Sequence, residues 1–142
     1  MKIISISNQK GGVGKTTTAV NLAQAIAATN RKTLLIDLDP QGNASTASGA
    51  TKNNSLFETT LGKHASELIQ TSSNQYDVLA GGEDLVALEV ALRNNPTKGH
   101  IAKSLKELDY DFVFIDTPPS LNSLTLDALI SSDCTLIPLQ CE

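Results

Sequence analysis

Residues 8 to 23 read NQKGGVGKTTTAVNLA, and within them Lys15, Thr16 and Thr17 stand directly behind Gly11, Gly12, Val13 and Gly14. These residue types in this order could hold a polyphosphate. The glycines permit a tight turn and bring backbone N–H groups close to anionic oxygens. A helix opening near Lys15 would add its positive N-terminal end. Lys15 would meet the β- and γ-phosphates as a point charge, and the Thr16 hydroxyl would ligate Mg²⁺, which takes oxygen ligands and keeps several waters. The usual phosphate loop carries a glycine five positions before its Gly-Lys pair. Here Gln9 occupies that position, and a second lysine, Lys10, precedes the first glycine.

Three acids complete the candidate set. "LLIDLDPQGN" places Asp37 and Asp39 at the end of an apolar run, and "FVFIDTPPS" places Asp116 at the end of another. In open α/β sheets ligands bind outside the carboxyl ends of the strands, so all three acids are expected on the rim that carries the phosphate loop. Asp116, after four apolar residues, suits an acid that holds Mg²⁺ through water. Asp37 has a plainer alternative, capping the turn that follows it.

The elements that must position these groups are legible in the pattern. Strand-like runs occupy Lys2 to Ser7, Thr33 to Leu38, Tyr76 to Ala80, Phe112 to Ile115 and Thr135 to Leu139. Several are nearly continuous apolar segments, as strands covered on both faces require. Helical spacing follows in Ala19, Leu22, Ala23, Ile26 and Ala27, and again in Ile101, Leu105 and Leu108. Asp84 to Arg93 is apolar on most sides and predicts a buried helix; Leu121, Leu124 and Ala128 predict another. Gln41 to Lys63, rich in Gly, Ser, Thr and Asn, predicts a long loop with room for a helical turn. Alternating strands and helices predict a doubly wound α/β fold, mainly parallel, with helices on both faces.

Bulk properties narrow the function classes. A chain of 142 residues suits one domain, 1–142, and 18% charged residues exclude a disordered chain. A net charge of -4 argues against a broad nucleic-acid face. The basic cluster Lys98, His100, Lys103 and Lys106 reads as the solvated face of a helix. Cys134 and Cys141 fit neither a zinc pattern nor a disulfide framework and read as ordinary residues of a reducing, cytoplasmic compartment. No apolar run approaches the ~20 residues of a membrane span. The last strand ends near Leu139 with no helix after it, so further strands and helices are expected beyond Glu142.

Taken together, "KGGVGKTT", "DLDPQGNAS" and "FIDTPPS" resemble the deviant Walker A ATPases of the ParA/Soj type, a resemblance that runs from Ile3 to Glu142 and includes "DLVALEVAL" and "LIPLQCE". The resemblance implies a P-loop, Rossmann-like fold and a Mg²⁺-dependent ATPase that switches between ATP and ADP in plasmid or chromosome partitioning. It implies that Lys10 reaches across an ATP-bound homodimer to the phosphates of the other subunit, as an arginine finger does. It assigns Lys10 to Thr17 to the phosphates, Lys10, Lys15 and Asp39 to catalysis, and Thr16 and Asp116 to Mg²⁺. Asp39 would orient the attacking water. Expected partners are a ParB-like protein and nonspecific DNA, the latter through a part of the protein beyond Glu142 that would place it on the nucleoid. A MinD-like division-site ATPase, which relies on a C-terminal membrane helix, and a fragment that binds nucleotide without hydrolysing it are the alternatives.

Overall fold

The computed structural model describes residues 1–8, 14–52, 55–96 and 99–139. Strand β1 (Lys2–Ile6) leads through the glycine segment to helix α1 (Lys15–Ala27). Strand β2 (Thr33–Asp37) is followed by the short helix α2 (Asn43–Ala47) and 3-10 turns at Leu56–Leu61 and Ala65–Glu67. Next come β3 (Ile69–Thr71), β4 (Asp77–Leu79), α3 (Leu85–Asn94), α4 (His100–Leu105), β5 (Phe112–Asp116), α5 (Ser123–Ser131) and β6 (Cys134–Leu136). The sheet order is β3-β4-β2-β5-β1-β6. All pairs are parallel except β3 with β4.

Each central strand buries alternate residues on opposite faces, which is why the apolar runs are continuous. Leu34, Ile36, Val113 and Ile115 pack with Leu85, Leu88, Leu92, Ile101, Leu105 and Leu124 from α3, α4 and α5. Leu35, Phe114, Val78 and Ile6 pack on the other face against Ala19, Ala23 and Ala27 of α1 and Ala44 of α2. Alanines four apart on α1 leave no bulk between helix and sheet, so the phosphate-side helix sits close against the strands that carry the acids. The predicted doubly wound architecture is the one observed.

Several local expectations need correction. The stretch Gln41 to Lys63 contains α2 and a 3-10 turn, because Ala44 and Leu56 are buried and draw the backbone into ordered turns. Strand β3 was not foreseen: three residues on an antiparallel edge are too few to show a period. Helix α3 buries Leu85, Leu88 and Leu92 but exposes Val86 and Val90, so it is a surface helix with one apolar stripe, not a buried one. The final strand is shorter than its apolar run and lies on an edge, with Leu136, Ile137 and Leu139 exposed.

Helix starts are set by side chains both distant and local. Asp127 of α5 is buried and accepts the N–H groups of Gly99, His100 and Ile101 at 3.1, 2.9 and 2.8 Å, closing the start of α4. Asn122 caps α5 by accepting from the Thr125 N–H at 3.1 Å. His100 is half-buried and meets Thr59 at 3.0 Å, and burial lowers its pKa; Lys103 and Lys106 lie on the exposed side, as the solvated-face reading expects. Cys134 is a free, exposed thiol. Lys98 and Cys141 lie outside the described residues.

Candidate functional site

The sheet register brings the acids together. Asp37 ends β2 and Asp116 ends β5, and the two are direct partners across the parallel pair; Ile6, the last residue of β1, is the partner of Asp116 on its other side. The carboxyl ends of three adjacent central strands therefore meet the start of α1. Gly14 stands at φ 81°, a left-handed conformation that glycine adopts without a Cβ clash, and its carbonyl accepts the first helical bond from Thr18 at 2.8 Å. No acid occupies the first turn of α1, so its positive end is not neutralised by its own side chains.

Gly14, Lys15, Thr16 and Thr17 line one cleft of about 210 Å³ with Asp39, Asn43, Thr117 and Pro119. Four of the residues expected to act on nucleotide thus converge: Lys15, Thr16, Thr17 and Asp39. Lys15 is buried, and Thr17 is exposed at the mouth. Lys10, Gly11, Gly12 and Val13 lie outside the described residues, and their assignments remain expectations.

Thr16 and Asp116, separated by a hundred residues, touch: the Thr16 hydroxyl donates to Asp116 Oδ2 at 2.7 Å. The other oxygen, Oδ1, is buried without a hydrogen-bond partner, the sole such side-chain atom among the described residues. Burial pushes the Asp116 carboxyl up to about 7; the Thr16 hydroxyl opposes this, the negative charges of Asp37 and Asp39 add to it, and the Lys15 ammonium opposes it. An acid that is costly to ionise and has an unpaired lone-pair face is a place where a cation would be bound with gain. Oxygen donors from a hydroxyl and a carboxyl suit the hard ion Mg²⁺. The residues present therefore fit that metal.

Asp37 has a different role. Its Oδ1 accepts the N–H of Asp39 at 3.0 Å, and its Oδ2 accepts both the N–H and the hydroxyl of Ser45 at 2.8 and 2.7 Å. Burial raises its pKa; the hydrogen bonds from Ser45 and Asp39 counter this, and the charge of Asp39 adds to the rise. The turn-capping alternative is what the geometry shows. Asp39 is partly exposed and accepts the N–H of Gln41 at 2.9 Å.

Sequence reasoning missed Asn43, Thr117, Ser45 and Gly81. Asn43 and Thr117 sit inside stretches already singled out, so adjacency was the available signal. Thr117 is fixed by its hydroxyl, which donates to the Ile6 carbonyl at 2.7 Å. Ser45 also ends the quoted "DLDPQGNAS", but nothing local gave it a role, and Gly81 had no local signal at all.

A mainly parallel sheet whose first strand feeds a Gly-Lys-Thr helix start, with an acid from a neighbouring strand against the Thr hydroxyl, defines the P-loop nucleoside triphosphatase class. The chain belongs to the AAA domain family, whose model matches residues 1–142, and among the relatives it resembles are those of the ParA/Soj type. It is 46% identical over 149 residues to the chromosome partitioning protein ParA of Myxococcus xanthus, a match covering 99% of this chain and 53% of the relative. Among solved structures, cobyrinic acid a,c-diamide synthase from Mycobacterium smegmatis, with bound ATP analog and magnesium, superposes with a TM-score of 0.94 at 34% identity, over 100% of this chain and 61% of that one. A plasmid partition protein from Borrelia burgdorferi superposes with a TM-score of 0.81 at 29% identity, over 96% and 63%. The chain spans a little over half the length of the curated relatives it matches, 57% in the Pseudomonas putida relative.

Proposed function

We propose that this protein is a Mg²⁺-dependent ATPase that acts as a nucleotide switch in plasmid or chromosome partitioning. The observation that carries the reading is the contact between Thr16 and Asp116, with its unpaired buried oxygen, in front of a helix start and beside Lys15 and Asp39. Relatives of the partitioning type support the biological role. Related structures crystallised with an ATP analog, or with ADP, and magnesium support the cofactor choice.

The residues divide the work as follows. Backbone N–H groups at the start of α1 and the Lys15 ammonium bind the β- and γ-phosphates and offset the charge that spreads over the transferring phosphoryl group. Thr16 and Asp116 would hold Mg²⁺, which when bound neutralises phosphate charge as a Lewis acid. Asp39 accepts a hydrogen bond from the attacking water and aims its oxygen at the γ-phosphorus. The new P–O bond forms as the bond to the bridging oxygen of ADP breaks. Pro118 and Pro119 stiffen the segment after Asp116, so loss of the γ-phosphate changes contacts in a defined way. In the ATP state Lys10 reaches the nucleotide of a second copy, which couples dimer formation to ATP. A ParB-like partner stimulates turnover, and nonspecific DNA is bound through residues beyond Glu142, in the cytoplasm.

Phosphate release from Mg-ATP by wild type, Lys15→Ala and Asp39→Ala tests the assignment. Wild type turns over; Lys15→Ala loses nucleotide affinity; Asp39→Ala binds nucleotide and does not hydrolyse it. Equal background release from all three would reduce the protein to a nucleotide-binding module. Among the described residues no helix is long and apolar enough to cross a membrane.

A further inference from the structure

The loop that carries Asp39 is tied at both ends to one buried carboxylate. Asp37 is 1% exposed and Ser45 is 0% exposed. Asp37 Oδ1 takes the Asp39 N–H, and Oδ2 takes the Ser45 N–H and hydroxyl, so residues 39 and 45 are stapled to the end of β2. The Ser45 oxygen then accepts the N–H of Gly81 at 2.8 Å, linking the staple to the segment leaving β4. Gly81 closes the arrangement by contact: a Cβ there would lie 2.6 Å from the Asp39 carbonyl oxygen and 2.8 Å from the Asp37 carboxyl carbon. Within the loop, the Gly42 N–H returns to the Asp39 carbonyl at 2.9 Å. Asp39 is thus a partly exposed side chain on a backbone fixed from three directions.

We infer that Asp37, Ser45 and Gly81 form a positioning unit that holds Asp39 against the nucleotide cleft, so that the rate of hydrolysis, and not the affinity for nucleotide, depends on the Ser45 hydroxyl. The inference rests on the proposed role of Asp39. None of the three residues lines the cleft itself, whereas Lys15, Thr16 and Asp39 do. Phosphate binding belongs to α1, which these hydrogen bonds do not touch. Water orientation belongs to the stapled loop, where a misplacement of about 1 Å costs about a hundredfold in rate.

The test is Ser45→Ala in the protein as expressed from its own gene, with Gly81→Ala as a second perturbation that keeps every hydrogen-bonding group but drives a methyl against Asp39. Steady-state hydrolysis of Mg-ATP gives kcat, and titration with a non-hydrolysable ATP analogue gives Kd. Both variants are expected to lose about tenfold or more in kcat, with Kd within about threefold of wild type. Ser45→Thr, which keeps the hydroxyl, is expected to restore most of the rate. Normal kcat in Ser45→Ala beside an inactive Asp39→Ala overturns the positioning unit alone. So does a Kd that weakens in step with kcat, or a Ser45→Thr variant as slow as Ser45→Ala. Normal turnover by Asp39→Ala overturns the reading of Asp39 and this inference with it.

Discussion

Replacing Asp116 by Asn separates the function of this site from its stability. The carboxyl is held up to about 7 from an ordinary 3.8, chiefly by burial. Between those values the folded chain keeps a proton that the unfolded chain has released. The stability this provides is complete below about pH 4 and is lost as pH rises through about 7. Ionising Asp116 in the folded protein costs roughly 4 kcal/mol by this reasoning. An Asn keeps the acceptor for the Thr16 hydroxyl, but its NH₂ would occupy the place of Oδ1, which has no partner. That unsatisfied donor costs about 1–3 kcal/mol. Without nucleotide or Mg²⁺ at pH 8, Asp116→Asn should therefore exceed wild type in stability by about 1–3 kcal/mol. By pH 5 the advantage should vanish or reverse, since wild type is then protonated. Urea denaturation at the two pH values, followed by circular dichroism, measures the difference. In the presence of Mg-ATP the difference should shrink or invert, because wild type, which keeps its carboxylate for Mg²⁺, gains more from binding. A variant less stable at pH 8, or a difference that does not change with pH, would refute the account of Asp116 as an acid strained for a cation.

Other expectations can be checked alongside. If Lys10 reaches the second copy as proposed, Lys10→Ala should retain nucleotide binding but weaken the proposed ATP-dependent dimer by about tenfold or more, since that role is a charge contact to the other subunit; light scattering with a non-hydrolysable ATP analogue measures this, and an unchanged dimer fraction counts against the role. Asp127→Ala should destabilise the fold by about 2–4 kcal/mol, because three N–H groups at the start of α4 lose a buried charged acceptor. Its nucleotide affinity at low temperature should be unaffected, as α4 packs away from the cleft; a denaturation midpoint equal to that of wild type would refute the capping role.

Much of the site was legible because its chemistry is local. Gly14, Lys15 and Thr16 are consecutive, and their use depends only on a strand before them and a helix after them. Asp116 was readable because a continuous apolar run marks a strand covered on both faces, and the residue at the carboxyl end of such a strand falls on the ligand rim; Asp39, two residues past the end of β2, was singled out by the resemblance of "DLDPQGNAS". Helix α2 and strand β3 were not readable. Five residues or fewer give no period, and both elements owe their form to burial against distant residues. Asp37 could be read either as a site residue or as a turn cap, and the three hydrogen bonds it accepts decide for the second.

By itself the sequence determined that this protein has a parallel α/β sheet, a glycine-rich segment between its first strand and helix, and acids at the carboxyl ends of strands, since apolar runs, helical spacing and glycine-rich segments are encoded in neighbouring residues. Only the tertiary structure decided that Thr16 meets Asp116, that Asp37 is a staple, and that Ser45 and Gly81 stand behind Asp39. Those contacts span 8 to 100 residues of chain. They exist because the strand order sets β5 between β2 and β1 and β4 on the other side of β2, an arrangement fixed by packing on both faces of the sheet and not by any local pattern.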